Sequence, residues 1–131
     1  MRVVRIVDIE EQPWKNGAGT TRQVAVGQGW RVSVAHVTKD GPFSVFEATW
    51  RHSIVIDGGA LHLSCANEEV LLQSNELSSY VGDVAWDCRL QGEAATVLNI
   101  MCERDVAAAD ILIGHWASAL TRSDPGLLIR T

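Results

Sequence analysis

Trp30-Arg31-Val32-Ser33-Val34-Ala35-His36-Val37-Thr38 alternates its side chains with period two, the pattern of a β-strand whose faces meet different surroundings. Trp30, Val32, Val34 and His36 share one face, and Arg31, Ser33, Ala35 and Val37 share the other. A half-buried strand ordinarily sets apolar residues against the core and polar ones against water. The second face follows neither rule, because it mixes Arg31 and Ser33 with Ala35 and Val37. Small and polar side chains together suit the inside of a barrel that leaves room for a polar ligand. A solvent-facing Arg31 at the start of the strand is the competing reading, and the sequence alone does not choose between them.

Working outward, the same kind of segment recurs. Arg2–Val7, Gln23–Val26, Ser53–Ile56, Ala60–Cys65, Val70–Gln73, Val84–Leu90 and Thr96–Cys102 read as strands. Turn chemistry separates them at Asp40-Gly41-Pro42, Asp57-Gly58-Gly59, Ala66-Asn67-Glu68, Ser74-Asn75 and Gln91-Gly92-Glu93. Short strands at such spacing indicate a sandwich or barrel. No window before residue 105 sustains a helical stripe, whereas Val106–Thr121 admits either a helix or a strand.

The 131 residues fit one domain. With 11 Lys+Arg against 16 Asp+Glu the net charge is −5, and the basic residues are scattered. Nucleic-acid binding needs clustered cations and is excluded as an expectation. No apolar run approaches the ~18–20 residues of a membrane-spanning helix. Asp8 falls too early for a secretory leader, so none is expected. Cys65, Cys88 and Cys102 form no CxxC arrangement and read as reduced thiols of a cytoplasmic protein; Cys88 and Cys102, on neighbouring candidate strands, could approach each other.

The groups able to carry chemistry are few. Pro13-Trp14-Lys15-Asn16-Gly17-Ala18-Gly19-Thr20-Thr21-Arg22 combines an aromatic ring, two cations, an amide, two hydroxyls and two glycines. Such a stretch lets backbone N–H groups and a guanidinium approach an anion, although it matches no nucleotide loop and also reads as a plain loop. His36, His52, His62 and His115 lie far apart, without metal-ligand spacing. The acid of Gly82-Asp83 reads as a turn residue. Asn99, central in Val97-Leu98-Asn99-Ile100-Met101, must find a partner, because an unsatisfied buried amide costs about 1–3 kcal/mol. That partner is either structural or a ligand.

Four motifs in register resemble one known family. Pro13–Arg22 resembles PWKNGGGxTRE, Trp30–Ala35 resembles WRxSxA, and Asp40–Phe46 resembles DGPFSxF. Arg51, Gly58, Gly82-Asp83 and Leu98-Asn99-Ile100-Met101 follow in the same order. These are marks of the HutD/Ves family of cupin-fold proteins, and the likeness runs over residues 1–104. It implies an all-β, cupin-like (RmlC-type) antiparallel barrel or sandwich in a single domain. It also implies a link to histidine utilisation or stress response, with a regulatory role sensing an intermediate such as formylglutamate. Two departures stand out: Val97 occupies a position where the family usually has an acid, and residues 105–131 replace a longer second half.

The expectation is therefore a protein that binds a small anionic metabolite without metal or other cofactor, and is a sensor rather than a catalyst. Trp14, Lys15, Asn16, Arg22, Arg31, Ser33, Arg51 and Asn99 are its candidate ligand-binding residues. Residues 105–131 are expected to form a short extension that packs on the barrel or on a partner subunit, and a homodimer to cover exposed edges and apolar surface. The main alternative is a metal-independent cupin enzyme such as a sugar isomerase or epimerase, using His36, His52, His62 or Tyr80 as acid and base. A third is an interaction module presenting Trp14, Trp30, Trp50, Trp86 and Trp116.

Overall fold

Two strands dominate the molecule because both are long and both bend. A computed structural model describes residues 2–109 and 126–129. In it β6 (Thr49–Ser64) and β9 (Asp87–Glu103) run antiparallel along nearly their whole lengths, from Thr49↔Glu103 to Ser64↔Asp87. The sequence suggests turns at Asp57-Gly58-Gly59 and Gln91-Gly92-Glu93, splitting each of these strands in two. The structure instead keeps each continuous and places irregularities between Val55/Asp57 and Gly58/Ala60. Gly58 has φ +88° and Gly92 φ +102°, conformations costly for a side chain with a Cβ. These glycines bend the strands without ending them.

The remaining strands are β1 (Arg2–Arg5), β2 (Gln12–Pro13), β3 (Gly19–Gly27), β4 (Trp30–Val37), β5 (Gly41–Pro42), β7 (Glu69–Leu72), β8 (Ser78–Val81) and β10 (Gly126–Ile129). One eight-stranded sheet runs β2-β3-β4-β9-β6-β7, with β5 on β9 and β8 on β6, while β1 and β10 pair separately. All strand pairings are antiparallel, as expected for the all-β fold. A single 3-10 turn, Ile6–Asp8, takes the place of the last residues of the expected first strand. Strands β2, β5 and β8 escape a periodicity search: two are two residues long, and Ser78-Ser79-Tyr80-Val81 lacks a branched apolar pattern. The helix-or-strand segment Val106–Thr121 lies mostly outside the described residues, as does most of the expected extension 105–131.

Because β6 and β9 bend, the half of the sheet built on β3, β4 and β8 and the half built on β5 and β7 share one core. Val37, Val55, Leu61, Leu63, Leu72, Trp86, Cys88 and Val97 are all essentially inaccessible. Val97, where the resemblance leads one to expect an acid, is 1% exposed and packs in this cluster. Trp86 stacks edge-on against Tyr80 at 5.7 Å and donates its Nε1–H to the Val81 carbonyl at 2.9 Å, so its one polar atom is satisfied. Cys88 and Cys102 sit near opposite ends of the single strand β9 rather than on neighbouring strands, and both are free thiols. Burial pushes the Cys88 thiol up to about 12.

Register across the sheet lines up side chains in rows. Arg31, Met101, Arg51 and Tyr80 form one row across β4, β9, β6 and β8. Two residues along, and hence on the same face, Gln23, Ser33, Asn99 and Ser53 form the next, followed by Thr21, Ala35, Val97 and Val55. The opposite face carries Trp30, Cys102 and Trp50, then Val32, Ile100 and His52. The mixed face read from the sequence is the inner one.

Replacing Trp86 by Ala should lower the unfolding free energy by about 3–5 kcal/mol, since it empties a fully buried site. Trp50, 43% exposed on the opposite face, should tolerate Ala at a cost of about 0.5 kcal/mol or less. Urea titration of the two variants measures both.

Candidate functional site

The inner rows end in a cavity of about 590 Å³. Its floor is the sheet itself, through Gln23, Arg31, Ser33, Asn99, Arg51 and Met101. Two loops build its walls.

The first wall is the turn between β2 and β3. Trp14 N–H donates to Gly19 O at 2.8 Å and Gly17 N–H to Trp14 O at 3.1 Å, with Gly17 at φ +73°. Asn16 Oδ1 accepts from Ala18 N–H at 2.9 Å, closing an Asx turn. Trp14 Nε1–H donates to Thr21 Oγ1 at 2.7 Å, and its ring meets Phe43 edge-on at 6.1 Å. Trp14, Lys15 and Asn16 thereby line the cavity, and Lys15 has no ion pair among the described residues.

The second wall is the segment after β5. Phe43 N–H donates to Trp86 O, and Phe46 N–H to Gly82 O, both at 2.8 Å. Ala48, at φ +54°, donates its N–H to Asp83 Oδ2 at 3.0 Å. Arg104 grips the same carboxylate through two N–H···O bonds of 2.7 and 2.9 Å and donates to Thr49 O at 3.2 Å. Asp83 is thus a clamp on the loop that carries Phe46, more than the turn residue its neighbour Gly82 suggests. The Arg104 guanidinium, then the Ala48 N–H, hold its carboxyl well below the usual carboxylate range.

Two guanidiniums lie over the Phe46 ring, Arg31 at 4.9 Å and Arg51 at 5.4 Å from its centroid. Arg51 also lies over Phe43 at 5.2 Å and Tyr80 at 5.4 Å. It is 4% exposed. Its Nη1–H donates to Ser44 O at 3.4 Å, and its Nε–H is buried with no partner among the described residues. Among the described residues Arg31 Nη2–H donates to the soft acceptor Met101 Sδ, at 3.4 Å. Neither guanidinium pairs with a carboxylate among the described residues, and no Asp or Glu lines the cavity. Burial, reinforced by the charge of Arg31 and opposed by Tyr80, pulls the Arg51 pKa down.

Beneath them runs a buried hydrogen-bond chain. Tyr80 Oη and Ser53 Oγ are 2.8 Å apart, and Ser53 Oγ donates to Asn99 Oδ1 at 2.6 Å. The question Asn99 poses in the sequence receives a double answer: its carbonyl has a structural partner, while its residue lines the cavity.

The structure therefore brings together Trp14, Lys15, Asn16, Arg31, Ser33, Arg51 and Asn99 around one cavity. Arg22 stands apart. It lies on β3 between Thr21 and Gln23, whose side chains line the cavity, so it points to the other face. There its Nε–H donates to Ile9 O at 3.0 Å, and Nη2 lies 3.4 Å from Glu11. Phe43, Phe46 and Met101 lie within the quoted motifs but carry no sequence-derived role, although period two from Arg31 and Arg51 across their partners would find Met101. Of the acid–base alternatives, His36 bonds Thr96 Oγ1 at 3.1 Å, His52 bonds Ser79 Oγ at 2.8 Å, and His62 lies 3.6 Å from Glu69; none lines the cavity. His115 and Trp116 lie outside the described residues. Among the described residues no group of three or more His, Cys, Asp or Glu is placed to hold a metal ion.

The Asp83 clamp has a sign that can be checked. A carboxylate whose folded pKa is depressed stabilises the fold fully above its unfolded value, near 3.8, and loses that contribution as pH falls through the folded one. The stability difference between the wild type and Asp83→Asn should be constant at neutral pH and shrink progressively below about pH 4, measured by urea unfolding across pH.

Comparison with known proteins agrees with this architecture. The family model HutD matches residues 7–126. Protein Ves of Citrobacter koseri is 30% identical over 117 residues, covering 81% of this chain and 61% of its own length. The structure of HutD from Pseudomonas fluorescens SBW25 superposes with a TM-score of 0.73 at 31% identity, over 79% of this chain and 60% of that one. A Cupin_2 domain of an XRE-family transcriptional regulator from Enterobacter cloacae, at 14% identity and a TM-score of 0.56, shares the fold over 65% of this chain and 96% of its own. The chain thus spans about three-fifths of the length of the Ves and HutD proteins it matches. By its motifs, its cupin-like sheet and these matches, the chain belongs to the HutD/Ves family.

Proposed function

We propose that the cavity binds a small anionic metabolite and that the protein acts as a sensor or modulator in amino-acid catabolism. One observation carries the reading: Arg31 and Arg51 sit on the wall of a 590 Å³ cavity without any carboxylate to balance them. Keeping a guanidinium buried and unpaired is unfavourable, and an incoming carboxylate relieves that cost. Arg51 spends only Nη1 on a protein acceptor, Ser44 O, among the described residues, and a guanidinium at a cavity can hold a carboxylate through its N–H donors. The aromatic rings of Trp14, Phe43 and Phe46 suit the apolar part of such a ligand. The connection with histidine utilisation rests on the family, whose name carries the hut locus. We further propose a homodimer, supported by Trp50 exposed among apolar neighbours, and a cytoplasmic setting, supported by three free cysteines.

A thermal-shift screen against small mono- and dicarboxylates tests the function. Saturating ligand at a hundredfold excess over Kd should stabilise the protein by about 2.7 kcal/mol, and no shift with any acid would overturn the proposal. Arg51→Ala should weaken binding by about 10–100-fold, the equivalent of one charge-assisted hydrogen-bonding group. Arg51→Lys should lose most of the same affinity, because it keeps the charge and discards the fork.

A further inference from the structure

We infer that the Tyr80–Ser53–Asn99 chain helps make the cavity a donor-rich site that selects carboxylates lacking an ammonium group over α-amino acids. The inference rests on the anion-binding function proposed above and specifies its ligand class. A carboxamide can present either its acceptor or its donors to a ligand. Here the choice is made from beneath. Asn99 Oδ1 cannot donate, so Ser53 gives its single hydroxyl proton to it across 2.6 Å. The Ser53 oxygen then accepts the Tyr80 proton across 2.8 Å. Tyr80 is held in place by the edge-on contact with Trp86, and burial raises its pKa, so it stays a donor. Asn99 Nδ2 is left at the cavity wall with no partner among the described residues.

The other polar groups agree in sign. Arg31, Arg51 and Lys15 can only donate. Asn16 Oδ1 is occupied by Ala18 N–H, and Thr21 Oγ1 already accepts from Trp14, which leaves its proton to give. The Ser33 and Ser44 hydroxyls and the Gln23 amide retain freedom to accept, but no Asp or Glu lines the cavity. An ammonium group entering this space would meet three cations and would leave its own donors poorly matched. A site built of donors rejects such a ligand through unpaired buried polar groups as well as through charge.

The test is calorimetric titration of the full chain with glutarate and with L-glutamate, which share a carbon skeleton and two carboxylates and differ in the α-ammonium. Glutarate should bind at least about tenfold more tightly, the scale expected when buried polar groups are mismatched. Asn99→Asp puts an acceptor on the wall and should weaken glutarate while narrowing the ratio. Ser53→Ala releases the Asn99 carbonyl and should narrow the ratio too, with the melting temperature of each variant reporting that it folds. Equal affinity of the wild type for both ligands would overturn the inference and leave the anion reading standing. A ratio unchanged in both folded variants would overturn the role of the chain. If neither compound binds, the proposed function fails and the inference fails with it.

Discussion

An unbalanced positive charge inside an acidic protein organises this structure. Arg51 is almost wholly buried, shares the Phe46 ring with Arg31, and has no carboxylate within reach among the described residues. The fold supports this charge in three ways. Aromatic faces lie against the guanidinium, a backbone carbonyl at Ser44 accepts from Nη1, and the residue lines a cavity. Each is weaker than a salt bridge to a buried acid. The arrangement is therefore costly without an anion and favourable with one, which is the physical basis for reading the cavity as a binding site.

Geometry keeps the cations in place from a distance. The antiparallel register of β4, β9 and β6 puts Arg31, Met101 and Arg51 in one row, and the glycine-assisted bends in β6 and β9 fold the sheet so that this row opens on a cavity above a shared core. The loop bearing Phe46 is fastened by Asp83 and Arg104, which bond to its backbone at Ala48 and Thr49. Removing the clamp would act on the site through Phe46, without touching a ligand. The Tyr80–Ser53–Asn99 chain works in the same indirect manner, fixing the orientation of one amide on the wall.

Much of this was legible in the sequence, for reasons specific to particular residues. The period-two mixture at Arg31, Ser33, Ala35 and Val37 offered an inward polar face without excluding a solvent-facing Arg31, and the structure places Trp14, Lys15, Asn16, Arg51 and Asn99 from the quoted motifs around the same cavity as Arg31. Arg22 failed the same test because loop composition carries no parity: once β3 begins at Gly19, its alternation sends Thr21 and Gln23 inward and Arg22 outward. The glycine-containing clusters at Gly58 and Gly92 read as turns between strands, not as bends within continuous ones, since a bulge and a turn draw on the same residues. The Asp83–Arg104 clamp joins residues far apart in the chain and leaves no local trace.

The guanidiniums that line the cavity without a carboxylate among the described residues are the most direct place to look for a bound anion. In a ¹⁵N-edited NMR titration of the wild type with a small dicarboxylate, the guanidinium resonances of Arg51 and Arg31, assigned by their loss in Arg51→Lys and Arg31→Lys, should move as the carboxylate enters the cavity. Arg51 and Arg31 guanidinium signals that stay unchanged while the ligand binds would contradict a carboxylate site built on these two residues.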